Sequence, residues 1–184
     1  MQKELSTYLK EKIRGIDLKN IENIFLFGSA VKGKEFPEDI DICIVFKDKV
    51  HKEILSGIEH KLKEHKVHIS SLTVNDFFKK PHPLAKTIFL EGLNIFNRKP
   101  FINNFVFSSY VLYSYDLSKL KPSEKVRFVY LLKGRNSKEG IIKKLGGEWI
   151  ADSCFMIPIK KDSEMLIILK KWMIPFKRKG VLVS

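Results

Sequence analysis

Two carboxylates separated by one isoleucine head the stretch Asp39-Ile40-Asp41-Ile42-Cys43-Ile44-Val45-Phe46. Side chains alternate along an extended chain, so Asp39, Asp41, Cys43 and Val45 share one face of a strand and Ile40, Ile42, Ile44 and Phe46 share the other. The strand rise sets the two aspartate Cα atoms roughly 6.7 Å apart, near enough for both carboxylates to converge on one hard divalent cation. Aspartate is a poor strand former, and two of them repel each other when no cation lies between. The same residues admit a plainer reading, in which Asp39 caps a turn just ahead of the strand and Asp41 faces solvent.

The preceding residues bear on that choice. Ile24-Phe25-Leu26-Phe27 reads as a short apolar strand ending at Gly28-Ser29, and nine residues lie between Ser29 and Asp39. A glycine lets backbone N–H groups approach phosphate oxygens closely, and an adjacent serine can donate from its hydroxyl and its amide. Lys32 adds a positive charge nearby. Strand, glycine turn and acid pair, in that order, describe a phosphate site facing a metal site.

These residues resemble the DNA polymerase beta-like nucleotidyltransferase superfamily, and its minimal nucleotidyltransferases in particular. Gly28-Ser29-Ala30-Val31-Lys32-Gly33 follows their glycine-serine-x-x-basic-glycine pattern, and Asp39-Ile40-Asp41-Ile42 follows their acid strand. Glu91-Gly92-Leu93-Asn94-Ile95-Phe96 is similar to the stretch that closes that domain, so the resemblance spans roughly residues 20 to 98. It implies attack of an acceptor hydroxyl on the α-phosphorus of a nucleoside triphosphate, ATP foremost, with release of pyrophosphate. Asp39 and Asp41 would bind Mg2+ or Mn2+, Gly28 and Ser29 would hold the β and γ phosphates, and Lys32 would be an outer charge. Acceptors in such relatives include a tyrosine of a partner toxin with a HEPN fold, an antibiotic hydroxyl and an RNA end. The family places a third carboxylate on the next strand, where Val67-His68-Ile69-Ser70-Ser71 presents His68. An imidazole is a poor ligand for Mg2+ but suits Mn2+ or can act as a base; the alternative is an ordinary half-exposed strand histidine. Asp76 either reaches the site from just past that strand or, with Asn75, caps a turn or helix.

Elements on both sides must position these groups. Leu5, Tyr8, Leu9, Ile13 and Ile16 recur at helical spacing and predict a helix over residues 3 to 17. A charged loop with Gly33 and Pro37 leads into the acid strand, Val50 to Leu62 marks a second helix, and Val67 to Val74 a third strand. Pro83 to Glu91 predicts a helix stopped by Gly92, and Leu93 to Asn97 a short strand. Arg98-Lys99-Pro100 reads as a hinge between a nucleotidyltransferase-like domain, 1–98, and a second domain, 101–184. Beyond it the pattern predicts a strand over Phe105 to Tyr115, a helix from Ser123 to Leu132 opened by Pro122, and a helix from Lys138 to Leu145 closed by Gly146-Gly147. A hairpin or bent strand from Trp149 to Ile159, a helix from Ser163 to Trp172 and a strand from Gly180 to Val183 complete it. The expected class is α/β (α+β): a small mixed sheet with flanking helices, then a second small α+β domain.

At 184 residues with 44% hydrophobic and 30% charged residues, the chain can bury a core and is neither a disordered tail nor a membrane protein. No apolar run approaches the roughly 18 residues of a spanning helix, and Met1 to Lys12 is charged where a signal peptide is apolar, so a cytoplasmic protein is expected. Cys43 and Cys154 are the only cysteines, which excludes a disulfide framework; both are expected to be buried. The net charge of +13 points to an anionic partner, and the excess lies in the C-terminal half. There Lys133, Arg135, Lys138, Lys143, Lys144, Lys160, Lys161, Lys170, Lys171, Lys177, Arg178 and Lys179 are interleaved with Trp149, Phe155, Trp172 and Phe176. Exposed, such rings would stack on bases and the lysines would track a phosphate backbone of RNA or DNA; otherwise the rings are core and the lysines a solvated face. Two functions remain open: a nucleotidyltransferase acting on a hydroxyl, including one on a partner protein, or an impaired nucleotidyltransferase fold that binds nucleic acid or an acidic partner.

Overall fold

The computed structural model describes residues 2–33, 38–64, 66–78, 82–136 and 138–184; Pro37, expected in the loop before the acid strand, lies outside them. The chain divides into two units, Met1–Val106 and Phe107–Ser184, each with its own core.

In the first unit, strands β1 (Ile21–Phe27), β2 (Ile40–Phe46), β3 (Val67–Thr73) and β4 (Leu93–Asn94) form one sheet in the order β3-β2-β1-β4. β1 runs antiparallel to β2 and β4, whereas β2 and β3 are parallel. A parallel pair needs a crossover, and helix α2 (Lys52–Leu62) supplies it. Ile40, Ile42, Ile44 and Phe46 pack with Leu9 and Ile13 from the helix α1 (Gln2–Lys12) region and with Ile58 and Leu62 of α2. Cys43 and Val45, with Phe25, pack on the opposite face beneath α3 (Val74–Phe78) and α4 (Pro83–Glu91). A strand covered on both faces has to be apolar on both, which is why the run after Asp41 holds no further charge.

The helix expected over 3 to 17 stops at Lys12, and Gly15 sits in the following turn at φ +85°; Ile16 packs on the core from beyond the helix. The unit boundary lies at Val106 rather than at the Arg98-Lys99-Pro100 hinge. The reason is aromatic packing: a 3-10 segment, Phe101–Phe105, places Phe101 5.0 Å from Phe25 and 5.4 Å from Phe77 between ring centroids, and Phe105 5.5 Å from Phe89. The short helix α3 has no counterpart among the expected elements.

In the second unit, β5 (Ser108–Tyr115), β8 (Glu148–Ala151), β9 (Cys154–Pro158) and β10 (Phe176–Val183) form an antiparallel sheet in the order β10-β5-β9-β8. Helix α5 (Pro122–Lys133) and the one-turn α6 (Ile141–Lys144) follow β5, and α7 (Asp162–Lys171) follows β9, giving a β-α-β-β-α-β, ferredoxin-like arrangement. The helix expected from Lys138 to Leu145 is instead a small hairpin, β6 (Gly134–Arg135) with β7 (Lys138–Glu139), followed by α6. Two glycines permit it: Gly134 has φ +92°, and a Cβ on Gly140 would lie 2.1 Å from the Leu132 carbonyl oxygen. The last strand starts at Phe176, so Lys177, Arg178 and Lys179 lie on an edge strand. Cys43 is buried as expected, but Cys154 is half-buried. Both units mix helix and strand, and among the described residues no helix is long and apolar enough to cross a membrane.

Candidate active site

The acid pair sits where three elements end or begin. β1 delivers the chain to Gly28, whose φ of +74° turns it into a 3-10 segment, Gly28–Ala30. Ala30 and Val31 are buried in the core and hold that turn down, and the Val31 and Lys32 amides both donate to the Gly28 carbonyl. Antiparallel pairing sets Phe27 opposite Asp41, and the turn passes directly over the Asp41 carboxylate. Asp39 stands just ahead of β2, as the capping reading had it, yet its carboxylate remains on the Asp41 side. Parallel pairing sets His68 of β3 beside Asp41, and its Nδ1 lies 3.6 Å from Asp39 Oδ2 and 3.6 Å from Asp41 Oδ1. Asp39, Asp41 and His68 therefore meet on one face, with the Gly28-Ser29 turn beside them.

Burial and the Asp39 charge raise the Asp41 carboxyl above its ordinary range, against the opposing pull of His68 and Lys32. Two partly buried carboxylates this close create a demand for positive charge. Among the described residues no group of three or more His, Cys, Asp or Glu is placed to hold a metal ion. Two carboxylates nonetheless suit Mg2+, which keeps few protein ligands and completes its shell with phosphate and water oxygens.

A Cβ on Gly28 would lie 2.4 Å from Asp41 Oδ2, at a backbone angle that L side chains rarely adopt. Gly28→Ala is expected to destabilise the first unit by about 1–2 kcal/mol from backbone strain alone and to push Asp41 out of line. A thermal melt together with a nucleotide titration checks both effects.

Lys32, expected as an outer phosphate charge, has its Nζ 2.6 Å from Glu91 Oε2, and the Glu91 side chain is only 7% exposed. In the sequence Glu91 reads as the end of a helix and the start of the closing stretch, with no role at the site. The signal that could have singled it out is one acid ending the apolar run Ile88-Phe89-Leu90 just before Gly92. Asp76 is a local cap: its Oδ2 accepts from the Thr73 backbone N–H and hydroxyl, and its own amide donates to Thr73 Oγ1. In the second unit the stacking expectation gives way to the core reading. Phe155 is fully buried, and Trp149, Trp172 and Phe176 pack against the same core.

A glycine turn laid over an acid pair, on a four-stranded mixed sheet backed by helices, marks a nucleotidyltransferase-type domain. The chain belongs to the family described as polymerase beta, nucleotidyltransferase, whose model matches residues 4–101. Residues 102–184 fall outside that match. No curated protein matches the chain at a significant level. Among solved structures, similarity is found to a chain of the tri-AMPylated Shewanella oneidensis HEPN toxin in complex with MNT antitoxin. Identity is 19%, covering 52% of this chain and 72% of that one, with a TM-score of 0.35.

Proposed function

We propose that the first unit transfers a nucleoside monophosphate, AMP from ATP, to a hydroxyl acceptor presented by a partner protein. The observation that carries the reading is the convergence of Asp39 and Asp41 beneath the Gly28 turn, with His68 completing the same face. The raised Asp41 and the hard oxygen donors fit a divalent cation, so Asp39 and Asp41 would hold Mg2+ or Mn2+. Bound there, the cation lowers the pKa of the acceptor hydroxyl and offsets charge on the leaving pyrophosphate. Gly28 and Ser29 receive the β and γ phosphates through backbone N–H groups and the serine hydroxyl, and Lys32 lends charge from the rim. His68 stands beside the acceptor hydroxyl, which gives up its proton as the new bond to the α-phosphorus forms and the bond to pyrophosphate breaks. With its side chain 59% exposed, His68 stands where a side chain offered by a second protein can reach it.

The test is incubation with labelled nucleotides, Mg2+ or Mn2+ and a lysate of the source cells. The expected result is label on protein, strongest with ATP. No transfer with any nucleotide or metal, together with no effect of Asp39→Asn or Asp41→Asn, overturns the reading.

His68 stands where the family carries its third acid, so a carboxylate there should improve the Mg2+-supported reaction, whereas a rate that falls would mark the imidazole itself as base or ligand. His68→Asp is expected to raise transfer with Mg2+ on the order of tenfold and leave ATP affinity nearly unchanged, because the triphosphate is held by the turn and the acid pair. Initial rates set against a nucleotide titration separate the two quantities.

A further inference from the structure

Lys32 and Glu91, far apart in the first unit's sequence, form an ion pair beside the acid face. Glu91 is the last residue of α4, and Gly92 caps the helix by donating its N–H to the Ile88 carbonyl. A carboxylate there is disfavoured twice, by loss of water and by the negative end of the helix dipole. Lys32 follows the glycine turn that lies over the Asp41 carboxylate, its amide donating to the Gly28 carbonyl, and has a side chain 32% exposed. A lysine ammonium on a four-carbon stem usually samples many rotamers; this one is held by a buried anchor. Resting on the nucleotidyltransferase reading above, we infer that Glu91 is a positioning residue, which holds the Lys32 ammonium at the rim of the site where it meets the triphosphate.

The geometry separates this role from simple neutralisation of a buried acid. A Glu91 oxygen takes up one side of the ammonium, and the exposed remainder of the side chain leaves its other donors for an incoming anion. Polyphosphate binding then draws on a cation whose conformational freedom is already restricted, which strengthens ground-state affinity rather than the chemical step.

The test uses the full chain, Mg2+ and α,β-methylene-ATP, in which the bond to be broken is replaced by carbon, with transfer kinetics on ATP in parallel. Glu91→Gln is expected to weaken analogue binding roughly 3- to 10-fold and raise KM to match, while kcat changes by less than about twofold. Lys32→Gln weakens binding at least as much, and Glu91→Gln combined with Lys32→Gln is no weaker than Lys32→Gln alone, because the two residues act as one unit. Lys32→Arg, which keeps both contacts, retains affinity while Glu91 is in place and loses it when combined with Glu91→Gln. Analogue binding indifferent to Glu91→Gln, or losses from the two positions that simply add, overturns the inference while the nucleotidyltransferase reading stands. No binding of the analogue or ATP by the parent chain overturns both. Should Glu91→Gln fail to fold, the 15Nζ resonance of Lys32 in the parent chain decides: it should shift on addition of the analogue, and an unmoved resonance overturns the inference.

Discussion

Asp39→Asn and Asp41→Asn are each expected to reduce the proposed nucleotidyl transfer about 10³-fold or more while the fold survives. Under the proposed function each substitution would remove one of the two hard oxygen ligands for the cation, and an amide cannot supply the lost negative charge. The Asp41 variant carries a second signature that separates a lost site from a damaged fold. Burial and the neighbouring Asp39 charge raise the Asp41 carboxyl in the folded protein, so the folded state holds that proton more tightly than the unfolded chain does. The ionised carboxylate therefore destabilises the metal-free protein at pH values above the folded pKa, and the penalty fades as pH falls through that range. Asparagine carries no such charge. Asp41→Asn should melt higher than the parent at neutral pH without metal, and the difference should shrink under acid conditions. Paired transfer assays and melts across pH check both results, and a variant that loses transfer and melts lower would indicate structural damage instead.

Asp162→Ala is expected to cost the second unit about 3 kcal/mol, at the lower end of what breaking a buried ion pair costs. Asp162 opens α7 and is 1% exposed. One carboxylate oxygen accepts from the fully buried Tyr113 hydroxyl on β5, and the other pairs with Arg178 on β10. Burial, followed by Asp162, pushes the Tyr113 hydroxyl well above its usual range, so it remains a donor at any pH the protein would meet. Alanine leaves that donor without its side-chain partner inside the core and releases the edge strand from α7. Arg178 is exposed and recovers water, which is why the cost sits at the lower end. The only tryptophans, Trp149 and Trp172, both pack on this core, so urea unfolding followed by tryptophan fluorescence reports on this unit directly. Asp162→Asn keeps an acceptor for Tyr113 and should lose less.

Features that depend on a few neighbouring residues were legible in the residue order. Alternation placed Asp39 and Asp41 on one side, Gly28 marked the turn, and Pro83 and Pro122 began helices where a proline's missing N–H is harmless. The mixed α and β character of both units followed from the same local periods. What joins distant segments was decided by the folded chain. The parallel register that sets His68 beside Asp41 depends on the crossover through α2; from sequence it was expected only through the family resemblance, since no window around either residue records it. The Lys32–Glu91 pair forms only once α4 has docked on the sheet. Phe101 and Phe105 belong to the first unit because their rings pack on an aromatic cluster formed elsewhere in the chain, which no hinge composition reveals. The core packing of Trp149 and Phe155, taken from sequence as one of two alternatives, was likewise settled by the sheet and helices that close over them. Turns, caps and faces are set by backbone sterics within a few residues, whereas register, partner choice and burial are set by the packing of whole elements, whose energies accumulate only when the chain has closed on itself.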